Sequence, residues 1–195
     1  AKALPLNRYM DRIRDQLLEG ISPEEQAQQR LTIEATNRAL RYAKTHGVTL
    51  IAAMGNSHMD LGNPQVDDSS PYFPEGQARE RTIDNSCLDI PTEGDGVLSV
   101  SAVGPSGIKA DYSNYGTEQT TVAAPGGYFR DYDGTPRGRQ PGNMILAAVP
   151  AVVVREMGVL DEKGESTDPF IVSECDAAGQ CAYYEHMQGT SMRSE

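Results

Sequence analysis

A chain of 195 residues, 38% hydrophobic and 23% charged, suits a single domain and is long enough to bury a core. It contains no run approaching the roughly 18 apolar residues that a membrane span needs. Its formal net charge of −11, from 17 basic against 28 acidic residues, disfavours a phosphate-backbone partner, which depends on clustered cations.

No membrane and no nucleic acid are therefore expected as partners. "AKALPLNRYM" has neither an initiator Met nor the charged-then-apolar pattern of a signal peptide, so the sequence is expected to begin inside a longer or processed chain.

Residues 8–21 place Met10, Ile13, Leu17 and Ile21 at helical spacing, and Gly20 weakens that helix. A second helix starts at Ser22, a capping residue, with Pro23 at the first helical position and Glu25 completing a capping box. Ala27, Leu31, Ala35, Ala39 and Ala43 predict a narrow apolar face for packing on a sheet. Lys44 and His46 suit the negative end of the helix dipole, and Gly47 fits just past it.

The apolar run 48–53 follows at once, the pattern of a parallel strand buried on both faces. Runs 96–104, 120–126 and 144–150 are further strand candidates. The connections 56–95 and 126–143, rich in Gly, Pro, Asp and Asn, are long enough to read as surface or substrate-side loops. "FIVSE" and "AYYEH" flank a Gly-containing loop and predict a hairpin that brings Cys175 and Cys181 within bridging range; a disulfide and two reduced thiols are both open. Cys87 would be left over. Three scattered His residues and the absence of a Cys-x-x-Cys pair give no metal-ligand spacing. The fold class is α/β, with no internal repeat and no domain boundary.

Three stretches carry chemistry: "IAAMGNSH" (51–58), "GVLSVSAVGPSGIKADYSNYGTEQTTVAAPGG" (96–127) and "GTSM" (189–192). In order, the chain carries Ala53-Met54-Gly55-Asn56, Val97 to Val103, Ser113-Asn114-Tyr115-Gly116, Ala124-Pro125-Gly126 and Gly189-Thr190-Ser191-Met192. Each motif is weak alone; five in this order resemble the second half of the catalytic domain of subtilisin-like serine proteases, the subtilases. The resemblance runs from about Ser22 to Met192. It implies a three-layer α/β fold, a mainly parallel sheet with helices on both faces, incomplete within residues 1–195.

The resemblance also implies roles. Ser191 would be the nucleophile, placed where a loop enters a helix N-terminus, so that free N–H groups favour a developing negative charge. Asn56, projecting from the C-terminal end of an apolar strand, would be the side-chain donor of the oxyanion hole. Ala53, Met54 and Gly55 would line the first specificity pocket, with Met54 replacing the family's usual alanine and altering its shape. Gly116 and Ala124-Pro125-Gly126 are read as structural. Without the other motifs, Ser191 would be read as a helix cap and Asn56 as a turn asparagine.

The family's aspartate and histidine motifs, Asp-Ser/Thr-Gly and His-Gly-Thr, do not occur in this sequence. His46, His58 and His186 lack that context and are not expected to be the base. The missing N-terminal half of the catalytic domain becomes a required partner. After Met192 the sequence reads Arg193-Ser194-Glu195 rather than the family's continuation into a long helix.

Asp60, Asp67 and Asp68 could offer hard oxygen ligands, and subtilases often bind calcium in loops. Their spacing is not that of an EF-hand, and a solvated acidic loop is the stronger reading, so no cofactor is assigned. The expected function is a serine endopeptidase acting on proteins or peptides, inactive as the isolated chain and secreted by analogy with the family. The alternatives are a non-catalytic peptide-binding module derived from a protease, and an esterase using a local histidine.

Overall fold

The protein is described from a computed structural model, which covers residues 23–67, 80–83, 85 and 88–193. The first expected helix (8–21), Ser22, Asp68 and Cys87 lie outside the described residues. Contacts divide the chain into two units. Among the described residues, the first holds 23–52, those within 59–99, and 114–121; the second holds 53–58, 100–113 and 122–193.

Within the first unit, helix α1 (Pro23–Thr45) begins at the proline the sequence singled out. It ends where Gly47 takes a φ of 80°, a left-handed conformation that glycine adopts without steric cost. His46 closes the last turn, its Nδ1 lying 2.8 Å from the Tyr42 carbonyl oxygen and its ring 4.1 Å from that of Tyr42. The alanine stripe is not the packing face: Leu31 is 67% exposed and Ala27, Ala35 and Ala39 are exposed too. The half-buried stripe instead runs through Ile33, Asn37, Leu40 and Ala43. Leu40 on this stripe lies against Gly94. A Cβ there would lie 2.6 Å from the Leu40 side chain, so the bare backbone makes room for that leucine. Lys44 then reaches Asp95 at 3.2 Å.

Strand β1 (Leu50–Ala53) follows, then a short hairpin of β2 (Val66–Asp67) and β3 (Arg81–Thr82), then β4 (Val97–Val103) and β5 (Val122–Pro125). β1, β4 and β5 form a three-stranded parallel sheet in the order β1-β4-β5. The register of the last pair sets Val100 beside Val122 and Val103 beside Pro125. At the start of β4, Ser99 is buried among polar groups and satisfied by Thr121 and the Gln119 carbonyl.

The run 144–150 does form a strand, β6 (Ile145–Val149), but outside the parallel sheet. It pairs antiparallel with β8 (Cys181–Met187), which also pairs with β7 (Ile171–Cys175), giving the order β6-β8-β7. Between β6 and β7 lies a short helix, α2 (Ala151–Glu156). Val154 of α2 meets Ile171 and Tyr183 in a small buried cluster, with Val149, Val159 and Leu160 packed around it. The Tyr183 hydroxyl is satisfied by donating to the Gly164 carbonyl at 2.8 Å. Cys175 and Cys181 face each other across the hairpin and are disulfide-bonded.

The loop from Gly126 to Met144 is held by one buried carboxylate. Asp131 is 2% exposed and accepts the backbone N–H of Ser106 at 2.8 Å and that of Tyr132 at 2.8 Å. Burial alone would raise its pKa, but the Ser106 N–H and hydroxyl and the Tyr132 N–H outweigh it and hold the carboxyl below the usual range. A Cβ on Gly104 would sit 2.4 Å from this carboxylate, so only glycine leaves room for it.

Candidate active site

The site is built within the second unit, from the C-terminal end of β1 and the turn after β8. Met54 donates its backbone N–H to the Val100 carbonyl at 3.1 Å, which fixes where β1 ends against β4. Gly55 then takes a φ of 93°, a conformation open to glycine, and turns the chain so that Asn56 emerges exposed. Of the three residues expected to line a pocket, Ala53 and Gly55 are half-buried. Met54 is 0% exposed, so its long side chain fills the interior and offers no surface to a ligand.

After β8 the chain enters a 3-10 turn, Thr190–Arg193, rather than an α-helix over its described residues. Gly189 donates its N–H to the Gly126 carbonyl at 2.9 Å, which ties this turn to the end of β5. Thr190 is buried, while Ser191 beside it is exposed. Thr190 clamps the other half of the site. Its backbone N–H donates to Asn56 Oδ1 at 2.9 Å and its hydroxyl donates to the same oxygen at 3.0 Å. The Thr190 hydroxyl oxygen in turn accepts the Gly55 N–H at 3.1 Å.

This clamp settles the amide's orientation by chemistry. A backbone N–H can only donate, so the atom facing it must be the Asn56 carbonyl oxygen. The amide nitrogen is left on the other side. A Cβ built on Gly189 would lie 3.3 Å from Ser191 Oγ and 3.4 Å from Asn56 Nδ2. The serine hydroxyl and the asparagine donor therefore flank one small space, kept open because residue 189 has no side chain.

Tyr112 backs the same turn. Its hydroxyl donates to the Gly127 carbonyl at 2.6 Å and lies 3.0 Å from the Gly126 carbonyl. Burial pushes its pKa up to about 12, opposed in part by the Gly189 N–H, so the phenol keeps its proton at neutral pH. The tyrosine also lines an open cleft of about 590 Å³ with His58, Asp111, Phe129, Arg130 and Gln188. Gln188 fixes one wall by accepting the Phe129 N–H at 2.8 Å, and Arg130 pairs with Asp111 at 3.2 Å.

The histidines fall in three different settings. His46 caps α1 in the first unit. His58 follows Asn56, with a φ of 56° and its Nδ1 hydrogen-bonded to the Asp111 carbonyl. His186 lies on β8, donating its backbone N–H to Phe170 at 2.8 Å, with its Nδ1 buried and without a hydrogen-bond partner. Among the described residues, no three His, Cys, Asp or Glu side chains gather as they would around a metal.

Sequence reasoning named Asn56 and Ser191, and the fold brings both to one place. It missed Thr190 and Tyr112; Gly126, read as structural, has such a place, its carbonyl holding the turn that carries Ser191. Thr190 carried a signal, as part of "GTSM". Tyr112 carried none that is local.

The subtilase family model matches residues 20–194. No curated relative matches. Among solved structures, a lanthipeptide protease is 19% identical with a TM-score of 0.48, covering 95% of this chain and 47% of its own. The nisin leader peptidase of Lactococcus lactis is 17% identical with a TM-score of 0.45, covering 90% and 40%. The epidermin leader peptide processing serine protease of Staphylococcus aureus is 21% identical with a TM-score of 0.42, covering 82% and 30%. The chain thus spans less than half the length of these structures. No helix among the described residues is long and apolar enough to cross a membrane. With its parallel three-stranded sheet, few helices and a family match over nearly its whole length, the chain belongs to the subtilase family of serine peptidases.

Proposed function

We propose that this chain carries the nucleophile and oxyanion-hole part of a serine endopeptidase. Ser191 Oγ attacks the carbonyl carbon of a peptide bond and passes its proton to a histidine base outside this sequence. The carbonyl oxygen takes up the negative charge and is stabilised by Asn56 Nδ2 together with the Ser191 backbone N–H. Collapse breaks the C–N bond, the base returns the proton to the leaving amine, and water hydrolyses the acyl-enzyme.

One observation carries this reading. Thr190 holds the Asn56 carbonyl oxygen, which leaves Nδ2 as the group facing the space it shares with Ser191 Oγ. The substrate is a protein or peptide, and the partner is the rest of the catalytic domain, which supplies the base and its orienting aspartate. The isolated chain is inactive on this account. A disulfide at Cys175–Cys181 supports a location outside the reducing cytoplasm.

The test is labelling with a fluorophosphonate probe, of this chain alone and of the chain mixed with an upstream subtilase half, with the adduct located by mass spectrometry. Label at Ser191 in the mixture only, lost in Ser191→Ala, is the expected result. Label on the isolated chain would mean a local histidine acts as base. No label in either arm, with peptide still bound, would favour a non-catalytic binding module.

A further inference from the structure

We propose that Tyr112 is a positioning residue for the nucleophile, acting through its hydroxyl on the backbone that carries Ser191; this rests on the protease reading above. The turn holding Ser191 is tied to the residue just past β5 by a backbone bond, the Gly189 N–H on the Gly126 carbonyl at 2.9 Å. Two consecutive glycines, Gly126 and Gly127, form the anchor, and such a dipeptide has the greatest conformational freedom of any in the chain. Its carbonyls need something to fix their direction.

Tyr112 supplies it. The hydroxyl donates at 2.6 Å to Gly127 and lies 3.0 Å from the Gly126 carbonyl, the same oxygen that receives Gly189. All these backbone atoms are packed closely. A Cβ on Gly126 would fall 2.6 Å from the Gly189 carbonyl oxygen and 3.1 Å from the Tyr112 hydroxyl. One phenol proton therefore sits at the junction between the glycine anchor and the turn. The next residue, Thr190, orients Asn56, so a shift at this junction displaces the nucleophile and the oxyanion donor together.

Tyr112 is itself held from both sides. Its own carbonyl accepts the His58 N–H at 2.8 Å, and the neighbouring Ser113 hydroxyl oxygen accepts the Ala102 N–H of β4 at 2.9 Å. The strut is thus mounted on the sheet rather than on a free loop.

Tyr112→Phe in the full-length parent protein tests this, because it removes one oxygen and keeps the ring that lines the cleft. kcat is expected to fall about tenfold with KM within about twofold, since a lost buried hydrogen bond in a rate-determining geometry is worth about that factor. Backbone hydrogen exchange in the segment 186–193 is expected to quicken, while exchange in α1 stays unchanged. An unchanged kcat with only a lowered Tm would reduce Tyr112 to a packing residue and overturn the proposal. A raised KM with kcat intact would make it a substrate contact in the cleft and overturn it as well. The protease reading is separable: wild-type protein that fails to label at Ser191 removes that reading first, whereas labelled wild type with an unaffected Tyr112→Phe removes the positioning role alone.

Discussion

Thr190 and Asn56 are joined twice, by a backbone N–H and a hydroxyl that converge on a single amide oxygen at 2.9 and 3.0 Å. The residues are 134 positions apart, so this pair closes the site across most of the chain. Thr190→Val keeps the shape and the backbone bond but removes the hydroxyl, which leaves the Gly55 N–H without its acceptor. A partly buried donor left unpaired costs about 1–3 kcal/mol, and about 1.4 kcal/mol is tenfold in rate. We expect kcat of the parent protease to fall by about tenfold or more with little change in KM, and Thr190→Ser to restore most of it. Steady-state kinetics on a peptide substrate decide, and equal loss in the Ser variant would show that the methyl group, not the hydroxyl, matters.

Asp131 is the second feature with a sharp expectation, this time for stability. Its folded pKa lies below the ordinary 3.8, so the carboxylate's contribution is fully present above that value and is lost as pH falls below it. Asp131→Asn puts an amide where two N–H groups converge, and the loss of charge-assisted bonds is worth about 1.5–3 kcal/mol. Urea denaturation at pH 7 should show the variant destabilised by about that amount. On acidification below pH 4 the two proteins should converge. A constant gap down to pH 3 would mean the carboxylate is not the group responsible.

The site was legible in outline and the fold in part. Apolar runs gave β1, β4 and β5, because a buried parallel strand leaves a continuous hydrophobic signature. Asn56 and Ser191 stood out because each sits in a short motif ending an element. The supports did not. Thr190 bonds Asn56 from 134 residues away, and Tyr112 reaches two backbone carbonyls; neither leaves periodicity or composition to read. β6 was legible as a strand but not as a partner of β8, since an apolar run does not say which edge it will join. Of the five alanine and leucine positions expected on the packing face of α1, Ala43 is half-buried and the other four are exposed, whereas Leu40 lies against Gly94, a long-range contact that periodicity does not reveal.

The hairpin bridge gives a third expectation. Cys175 and Cys181 enclose a six-residue separation, and closing so short a loop stabilises by about 2 kcal/mol on the chain-entropy account. Replacing both by Ser should lower Tm by a few degrees while β7 and β8 stay paired, because Val154, Ile171 and Tyr183 are also packed by Val149, Val159 and Leu160, and Cys181 is only one neighbour of that cluster. Thermal melts with and without reductant would show this directly: the wild type should shift under reductant and the double Ser variant should not.

The space between Ser191 and Asn56 gives the last and most discriminating expectation. Gly189 is buried and takes no left-handed φ, so its backbone alone does not demand glycine. What demands it is the room above it. The methyl of Gly189→Ala would stand 3.3 Å from Ser191 Oγ and 3.4 Å from Asn56 Nδ2, where an attacked carbonyl group would have to sit. Neither neighbour is backbone, so the fold can absorb the contact with a small shift of two exposed side chains. The shift is only a few tenths of an ångström, so the loss of reactivity comes from the methyl occupying the space between the two groups. Gly189→Ala should therefore keep its Tm within a few degrees of wild type and label at Ser191 more slowly than wild type. Full labelling at wild-type rate would mean that substrate approaches Ser191 from another side and that Asn56 Nδ2 is not its oxyanion donor.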